Sequence, residues 1–359
     1  MPEIDQLFRV MLEQGASDLH LLEGQPAKVR KHGNIEPLPG ERPLAPDRLL
    51  HLLRPICPPR KWRRFERSGD VDFAYGLPQG ARFRANYYRQ AHGLGAVFRV
   101  VPAAMKGLAE LGAPPILKDL AELRAGMVLV TGPTGSGKST TLAAMLDHIN
   151  ANFARKVVTL EDPIEFVHPP KRSFFVQREV GDHCESFAAG LRAAVREDCD
   201  VILVGEMRDL ETISLAVTAA ETGALVFGTL HTNSAGKTVD RIVNVFPAGQ
   251  RAQVLSMLST SLRAVISQQL VRRADGKGRV AVHEVLVVNS AASAAIREGQ
   301  VARLNQVIQT GRSQGMVLLD DALMARVKEK VIAPEEAYLK ASDKRAFEPL
   351  LGHNPYSGG

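Results

Sequence analysis

The stretch Gly132-Pro133-Thr134-Gly135-Ser136-Gly137-Lys138-Ser139-Thr140 constrains this chain more than any other. It follows Met127-Val128-Leu129-Val130, an apolar run that reads as a buried strand. It leads into Thr141-Leu142-Ala143-Ala144-Met145-Leu146, which reads as a helix. Strand, glycine-rich loop, Lys-Ser and helix, in that order, make a phosphate-binding loop. The glycines let the backbone curl until successive N–H groups and a helix N-terminus face a polyphosphate. In that arrangement Lys138 reaches the β- and γ-phosphates, and the Ser139 hydroxyl ligates Mg²⁺. A glycine-rich surface turn has no need of Lys-Ser at this spacing after a strand, so the loop predicts a nucleoside triphosphate site.

The loop opens an alternating series. Apolar strand candidates at 127–131, 156–160, 201–204, 225–230 and 280–288 are separated by amphipathic helices. Such alternation predicts an α/β fold with parallel pairing and crossover helices. The loop then sits at the carboxyl end of its strand, where open α/β sheets bind ligands. The first hundred residues read instead as a small α+β domain. Residues 2–14 have helical apolar spacing, and 17–21, 71–75, 81–87 and 95–100 alternate as half-buried strands. The expected division is an N-terminal domain at 1–100, a Pro/Gly/Ala linker at 101–115 and an ATPase core at 116–290. A C-terminal helical region at 291–345 and a flexible tail at 346–359 complete it.

Composition bounds the rest. A length of 359 residues suggests about two domains, and 45% apolar with 23% charged residues is ordinary for a globular protein. No apolar run approaches the roughly 18 residues of a membrane span, and the N-terminus lacks a signal-peptide pattern. The expected location is therefore the cytosol, with room for peripheral docking on a membrane complex. Cys57, Cys184 and Cys199 are widely spaced and form no C-x-x-C pair, which argues against a zinc ribbon or a disulfide framework. Residues 1–100 carry 16 Lys/Arg against 11 Asp/Glu and so hold most of the formal charge of +6. Within them Arg60-Lys61-Trp62-Arg63-Arg64-Phe65-Glu66-Arg67 reads as a solvated helix face. No nucleic-acid motif accompanies it, and no nucleic-acid partner is expected.

Three further features bear on chemistry. Val201-Ile202-Leu203-Val204-Gly205-Glu206 is an apolar strand delivering an acid at its end. This is the Walker B arrangement, with Glu206 placed to hold Mg²⁺ through water or to act on the attacking water. Val157 to Glu165 leaves a strand through Glu161 and turns at Asp162-Pro163. Carboxylates near a phosphoanion suit a base or a positioner of water. Gly228-Thr229-Leu230-His231 ends a strand on a histidine. A lone histidine is more often structural, but at this sheet edge His231 is a candidate γ-phosphate sensor.

These strings together resemble the PilT-type ATPases, motors of type IV pilus retraction and twitching motility within the secretion-ATPase superfamily. The carriers are Gly15 to Leu21 (GASDLHL), 132–145 (GPTGSGKSTTLAAM), 161–168 (EDPIEFVH), 177–180 (QREV), 203–212 (LVGEMRDLET) and 218–223 (TAAETG). The resemblance spans about residues 1–315. It implies a homohexameric ring with a PAS-like α+β N-terminal domain and a RecA-like motor domain, ATP and Mg²⁺ at subunit boundaries, and a peripheral place at the inner-membrane pilus base. It implies an inner-membrane platform protein as partner, with another retraction ATPase as a further candidate. Position by position it puts Lys138, Ser139 and Thr140 on phosphate and Mg²⁺, and the general base at Glu165, with Glu161 as second candidate. Glu206 matches the Walker B glutamate and His231 the second histidine of the His box. Arg84 and Arg99 match the arginines that complete the site, although the residues alone read as ordinary exposed strand positions.

Three departures stand out. The His box usually begins Thr-Gly-His, but here it reads Thr222-Gly223-Ala224, and alanine neither titrates nor donates a hydrogen bond. The C-terminal Ala-Ile-Arg-Asn-Leu-Ile-Arg-Glu motif keeps only Ala291, Ile296, Arg297 and Glu298. Cys199 replaces the proline usual before the Walker B strand. The first two leave an accessory paralogue or regulator as an alternative to the principal motor. An assembly or type II secretion ATPase is a further alternative, for which paired C-x-x-C motifs and a longer N-terminal region are missing.

Overall fold

The computed structural model describes residues 2–31, 34–78, 80–101 and 105–351. Residues 102–104 of the expected linker and 352–359 of the expected tail lie outside them. The chain divides into two compact units, Met1–Ala104 with Pro163–Phe166, and Met105–Asp162 with Val167–Gly359.

Among the described residues the first unit forms one sheet of β1 (Asp18–Leu22), β2 (Lys28–Lys31), β3 (Asn34–Pro37), β4 (Asp70–Gly76), β5 (Arg82–Gln90) and β6 (Gly93–Val101). Their order is β3-β2-β1-β6-β5-β4, every neighbouring pair antiparallel. The first and last strands of the unit, β1 and β6, meet at the centre. Strand alternation explains the core, because period-2 side chains split between two faces. Phe83, Ala85 and Tyr87 of β5 and Ala96 and Phe98 of β6 face inward with Phe8 of the helix Ile4–Glu13. Phe8 stacks on Phe83 with centroids 4.1 Å apart. The intervening residues, Arg82, Arg84 and Asn86 of β5 with Val97 and Arg99 of β6, lie on the opposite face. The basic run forms the helix Pro59–Ser68, burying Trp62 and Phe65 while Arg60, Arg63, Arg64 and Arg67 stay exposed. A left-handed Gly69 (φ 75°) ends it.

The second unit is built on β7 (Gly126–Thr131), β8 (Lys156–Glu161), β9 (Phe174–Glu179), β10 (Val201–Val204), β11 (Leu225–Leu230), β12 (Leu262–Arg272) and β13 (Arg279–Val287). The order among the described residues is β13-β12-β7-β11-β10-β8-β9, parallel except for the β12–β13 edge. The apolar runs fill two cores at once. Met127 and Leu129 of β7 join the cluster containing Leu191, Ile213, Val217, Ile242 and Leu258, whereas Val128 and Val130 join the one containing Leu142, Met145 and Ile149. A sheet covered by helices on both faces needs such unbroken runs. Truncating any one of these buried leucines to alanine removes about 2–5 kcal/mol.

All five expected strands of this sheet are present, and β9 and β12 are additional. Residues 105–115 are not a loose connector, since Leu108 and Ala113 pack on the second of those cores. Phe347, within the range expected to be a flexible tail, is fully buried in a cluster with Val271, Leu323 and Ala337.

Candidate functional site

The parallel sheet brings the sequence-separated site residues of the second unit to one edge. Because β7, β11, β10 and β8 are parallel and adjacent, their carboxyl ends line up. The phosphate loop leaves β7, His231 leaves β11, Glu206 follows β10, and Glu161 ends β8.

The loop runs from Gly132 to Gly137, and the 15-residue helix Lys138–Asn152 begins at Lys138. Two glycines are dictated by β12 beneath them. Gly132 (φ 141°) approaches the Gln268 carbonyl so closely that a Cβ would lie 2.2 Å from its oxygen. Gly137 (φ 87°) would place a Cβ 2.8 Å from Gln268 Nε2. Lys138 Nζ donates to the Gly132 carbonyl at 2.8 Å and the Pro133 carbonyl at 3.2 Å, which holds the cation over the loop. Pro133, Thr134, Gly135 and Ser139 are exposed and Thr140 half-buried, whereas Ser136 is buried. The helix N-terminus and Lys138 together favour a polyphosphate.

Glu206 is positioned by backbone that extends the sheet beyond β10. Gly205 N–H donates to the Leu160 carbonyl at 2.8 Å, and Met207 N–H donates to the Thr229 carbonyl at 3.0 Å. Glu206 Oε1 accepts from Arg208 Nε and meets His231 Nε2 at 3.0 Å. Burial works against ionisation of this carboxyl. The Arg208 hydrogen bond and charge, with His231, outweigh that and hold it below the usual range. A carboxylate so stabilised is a weak proton acceptor and a good fixed charge. Glu161 is tied inward as well, accepting from Thr159 Oγ1 at 2.6 Å and Gln177 Nε2 at 3.3 Å.

Glu161 and Glu165 fall in different units. The acidic turn divides at Asp162, and Pro163–Phe166 belongs with the first unit, where Glu165 is half-buried. In that unit Arg84 and Arg99 are direct cross-strand partners on β5 and β6. Asp18 of β1 is the register partner of Arg99 on the other side and accepts from its Nε at 2.7 Å. Among the described residues Arg84 forms a 4.0 Å ion pair with Asp72.

Ala224 stands at the opposite edge of the sheet from the loop. It precedes β11, its carbonyl accepts from Gly126 N–H at 3.0 Å, and six strand residues separate it from His231. At about 3.3 Å per residue the two positions are roughly 20 Å apart. The missing His-box histidine therefore removes nothing from the phosphate edge. The altered motif forms the helix Ser290–Arg297, which packs on the helix Arg251–Ser261 through Ser293 Oγ to the Ser259 carbonyl (2.6 Å) and Arg297 Nε to Ser259 Oγ (3.3 Å). Cys199 donates to the Ala194 carbonyl at 3.1 Å, and burial pushes its thiol up to about 11, so it is an inert packing residue.

Sequence reading missed Gln268 and the role of Arg208. Arg208 carries a weak signal, an arginine two positions after the Walker B acid. Gln268 carries none without β12.

A family model described as "Type II/IV secretion system protein" matches residues 76–337. The chain belongs to this family. It is 49% identical to the "Type IV pilus retractation ATPase PilT" of Pseudomonas aeruginosa, over 96% of this chain and 100% of that one. It is 49% identical to a "Twitching motility protein" of Neisseria gonorrhoeae, over 89% of this chain and 85% of the relative. Among solved structures, the "Crystal Structure of the Pilus Retraction Motor PilT and Bound ADP" superposes with a TM-score of 0.89 at 41% identity, covering 96% of this chain and 98% of that chain. Among the described residues, no helix is long and apolar enough to cross a membrane.

Proposed function

We propose that this chain is an ATPase motor that powers type IV pilus retraction, working as a homohexamer at the cytoplasmic side of the pilus base on an inner-membrane platform protein. The observation that carries the reading is the shared edge of β7, β11, β10 and β8, where the phosphate loop, His231 and the ion-paired Glu206 converge. Near full-length similarity to retraction ATPases supports it.

The donor set suits Mg²⁺. Ser139 presents an exposed hydroxyl in the first turn of its helix, and Glu206 is an ionised carboxylate. No cluster of three His, Cys, Asp or Glu able to cage a metal occurs among the described residues. Hard oxygen donors in small number are what Mg²⁺ takes beside substrate phosphates and water. When bound, the ion neutralises charge on the phosphates. The loop N–H groups and Lys138 hold the phosphates. Glu206, fixed by Arg208 and His231, orients water by its charge. Glu165 takes the proton of the attacking water, while Glu206 stays engaged with Arg208 and His231. Arg84 and Arg99 supply planar positive charge to the transferring phosphoryl group.

Deletion of the gene, complemented by wild type or by Lys138→Ala, tests the assignment. The reading expects wild-type complementation to restore twitching and Lys138→Ala to fail. Full twitching in the deletion strain would favour the accessory-paralogue reading, which the altered motif at 291–298 motivates.

A further inference from the structure

Gln268 lies in the middle of β12, 2% exposed, directly across from His283 on β13. Its side chain meets three groups. Nε2 donates to the Ser136 carbonyl at 2.7 Å. Oε1 accepts from Thr141 Oγ1 at 2.7 Å and meets His283 Nε2 at 3.1 Å. The amide has only one workable orientation here. The Ser136 carbonyl can only accept, so the nitrogen must face it. The oxygen then faces Thr141 and His283, both of which must donate. Burial pushes the His283 pKa down to about 4 and holds the ring neutral, and donation to Oε1 puts its proton on Nε2. Next door, Thr131 of β7 and Ser267 of β12 pair through hydroxyls 2.9 Å apart.

Two of these contacts fall at the C-terminal end of the loop and at the start of the helix. Ser136 lies inside the loop, and Thr141 lies in the first turn of the helix that follows. The two close glycines complete the picture, because Gly132 rests on the Gln268 backbone and Gly137 on its side-chain nitrogen. One residue therefore sets the curvature of the loop, the direction of the Ser136–Gly137 peptide and the start of the helix.

We propose that Gln268 is a positioning residue for the nucleotide, a buried template over which the phosphate loop is moulded so that its N–H groups converge on the phosphates. The inference rests on reading the loop as the ATP site. A template of this kind acts on bound ground state and transition state alike, so its loss weakens binding more than turnover.

The test measures binding of a fluorescent ADP with Mg²⁺, and ATP kinetics, on the full-length assembled protein well below its thermal transition. Gln268→Glu keeps the acceptor and the volume but loses the donor, and Gln268→Met keeps only the volume. Each is expected to raise the ADP Kd about tenfold or more, with KM for ATP rising in parallel and kcat changing less. Thr141→Val removes one donor to Oε1 and is expected to raise Kd by about threefold, a smaller loss since His283 still holds the amide. A purely structural role would lower the thermal midpoint and leave Kd and KM unmoved. That outcome in Gln268→Glu or in Thr141→Val overturns the inference. Lys138→Ala separates the two readings. If it abolishes ADP binding while the Gln268 variants bind normally, the template fails and the site stands; if it binds normally, the site itself is wrong.

Discussion

His231 Nε2 lies 3.0 Å from Glu206 Oε1 although 25 residues separate them in the chain, and Arg208 donates to that same oxygen. The histidine is thus a holder of the carboxylate as well as a group facing the phosphate edge. His231→Ala is expected to lower ATP turnover about 10- to 100-fold, the usual effect of freeing a residue that orients a metal-site carboxylate. ADP affinity should stay near wild type. Steady-state turnover beside ADP titration checks this, and normal turnover would remove His231 from the site.

Arg84 and Arg99 oppose each other across β5 and β6, an arrangement of like charges that destabilises a sheet. Their anions are unequal. Asp18 is buried and bonded to Arg99 Nε, with burial opposing and the Ser17 and Arg99 hydrogen bonds holding its carboxyl low. Among the described residues Arg84 has the more distant Asp72, at 4.0 Å. Arg84→Gln should therefore leave the melting temperature unchanged or raise it while lowering turnover about 10³-fold, as for arginines that meet a transferring phosphoryl group. Arg99→Gln should lower turnover similarly and destabilise by about 1–3 kcal/mol, because it leaves a buried carboxylate short of a partner. Wild-type turnover in Arg84→Gln would count against its assignment.

The sequence made the parallel sheet legible because β7, β8, β10 and β11 are continuous apolar runs bounded by glycine, acid or helix-start residues. Strand β12 was illegible for a physical reason. The helix Arg251–Ser261 passes into Leu262 with no glycine or proline between, and Leu262 to Arg272 mixes apolar and polar residues in a way that also fits a helix. Gln268 was lost with it. Strands β2 and β3 are four residues each and mostly polar, β3 exposed throughout and β2 burying only Val29, which leaves little periodicity to read. The acidic turn showed that carboxylates were gathered. That Glu161 is tied to Thr159 and Gln177 while Glu165 belongs to the other unit depends on long-range packing and has no local signature.

Two buried histidines set an acid limit on stability. His283 and His168 are both pushed down to about 4 by burial, His168 while stacked on Phe175. An unfolded histidine titrates near 6.5, so between about pH 6.5 and 4 the unfolded chain binds more protons. Their contribution is complete above about pH 6.5 and is lost as pH falls toward 4, by at most about 3 kcal/mol for each. The melting temperature should fall across that window, and His168→Gln should flatten the fall. A midpoint constant from pH 7 to 4.5 would contradict the burial of both rings.

Restoring the missing His-box histidine should do little to the chemistry. Ala224 lies at the far edge of the sheet, so Ala224→His should leave kcat and KM unchanged within error. A marked rise in kcat would show that the position is coupled to the phosphate edge.

Hydrolysis of ATP at the edge where the loop meets Glu206, with Glu165 as the proposed base, is what the motor would run on. It is tested most directly by Mg²⁺-dependent phosphate release from purified assembled wild type, Glu206→Gln and Glu165→Gln, each shown to bind ADP. Turnover is expected in the wild type, with a loss of about 10²-fold or more in each variant while ADP binding stays intact. Near-wild-type turnover in both variants would contradict both assignments.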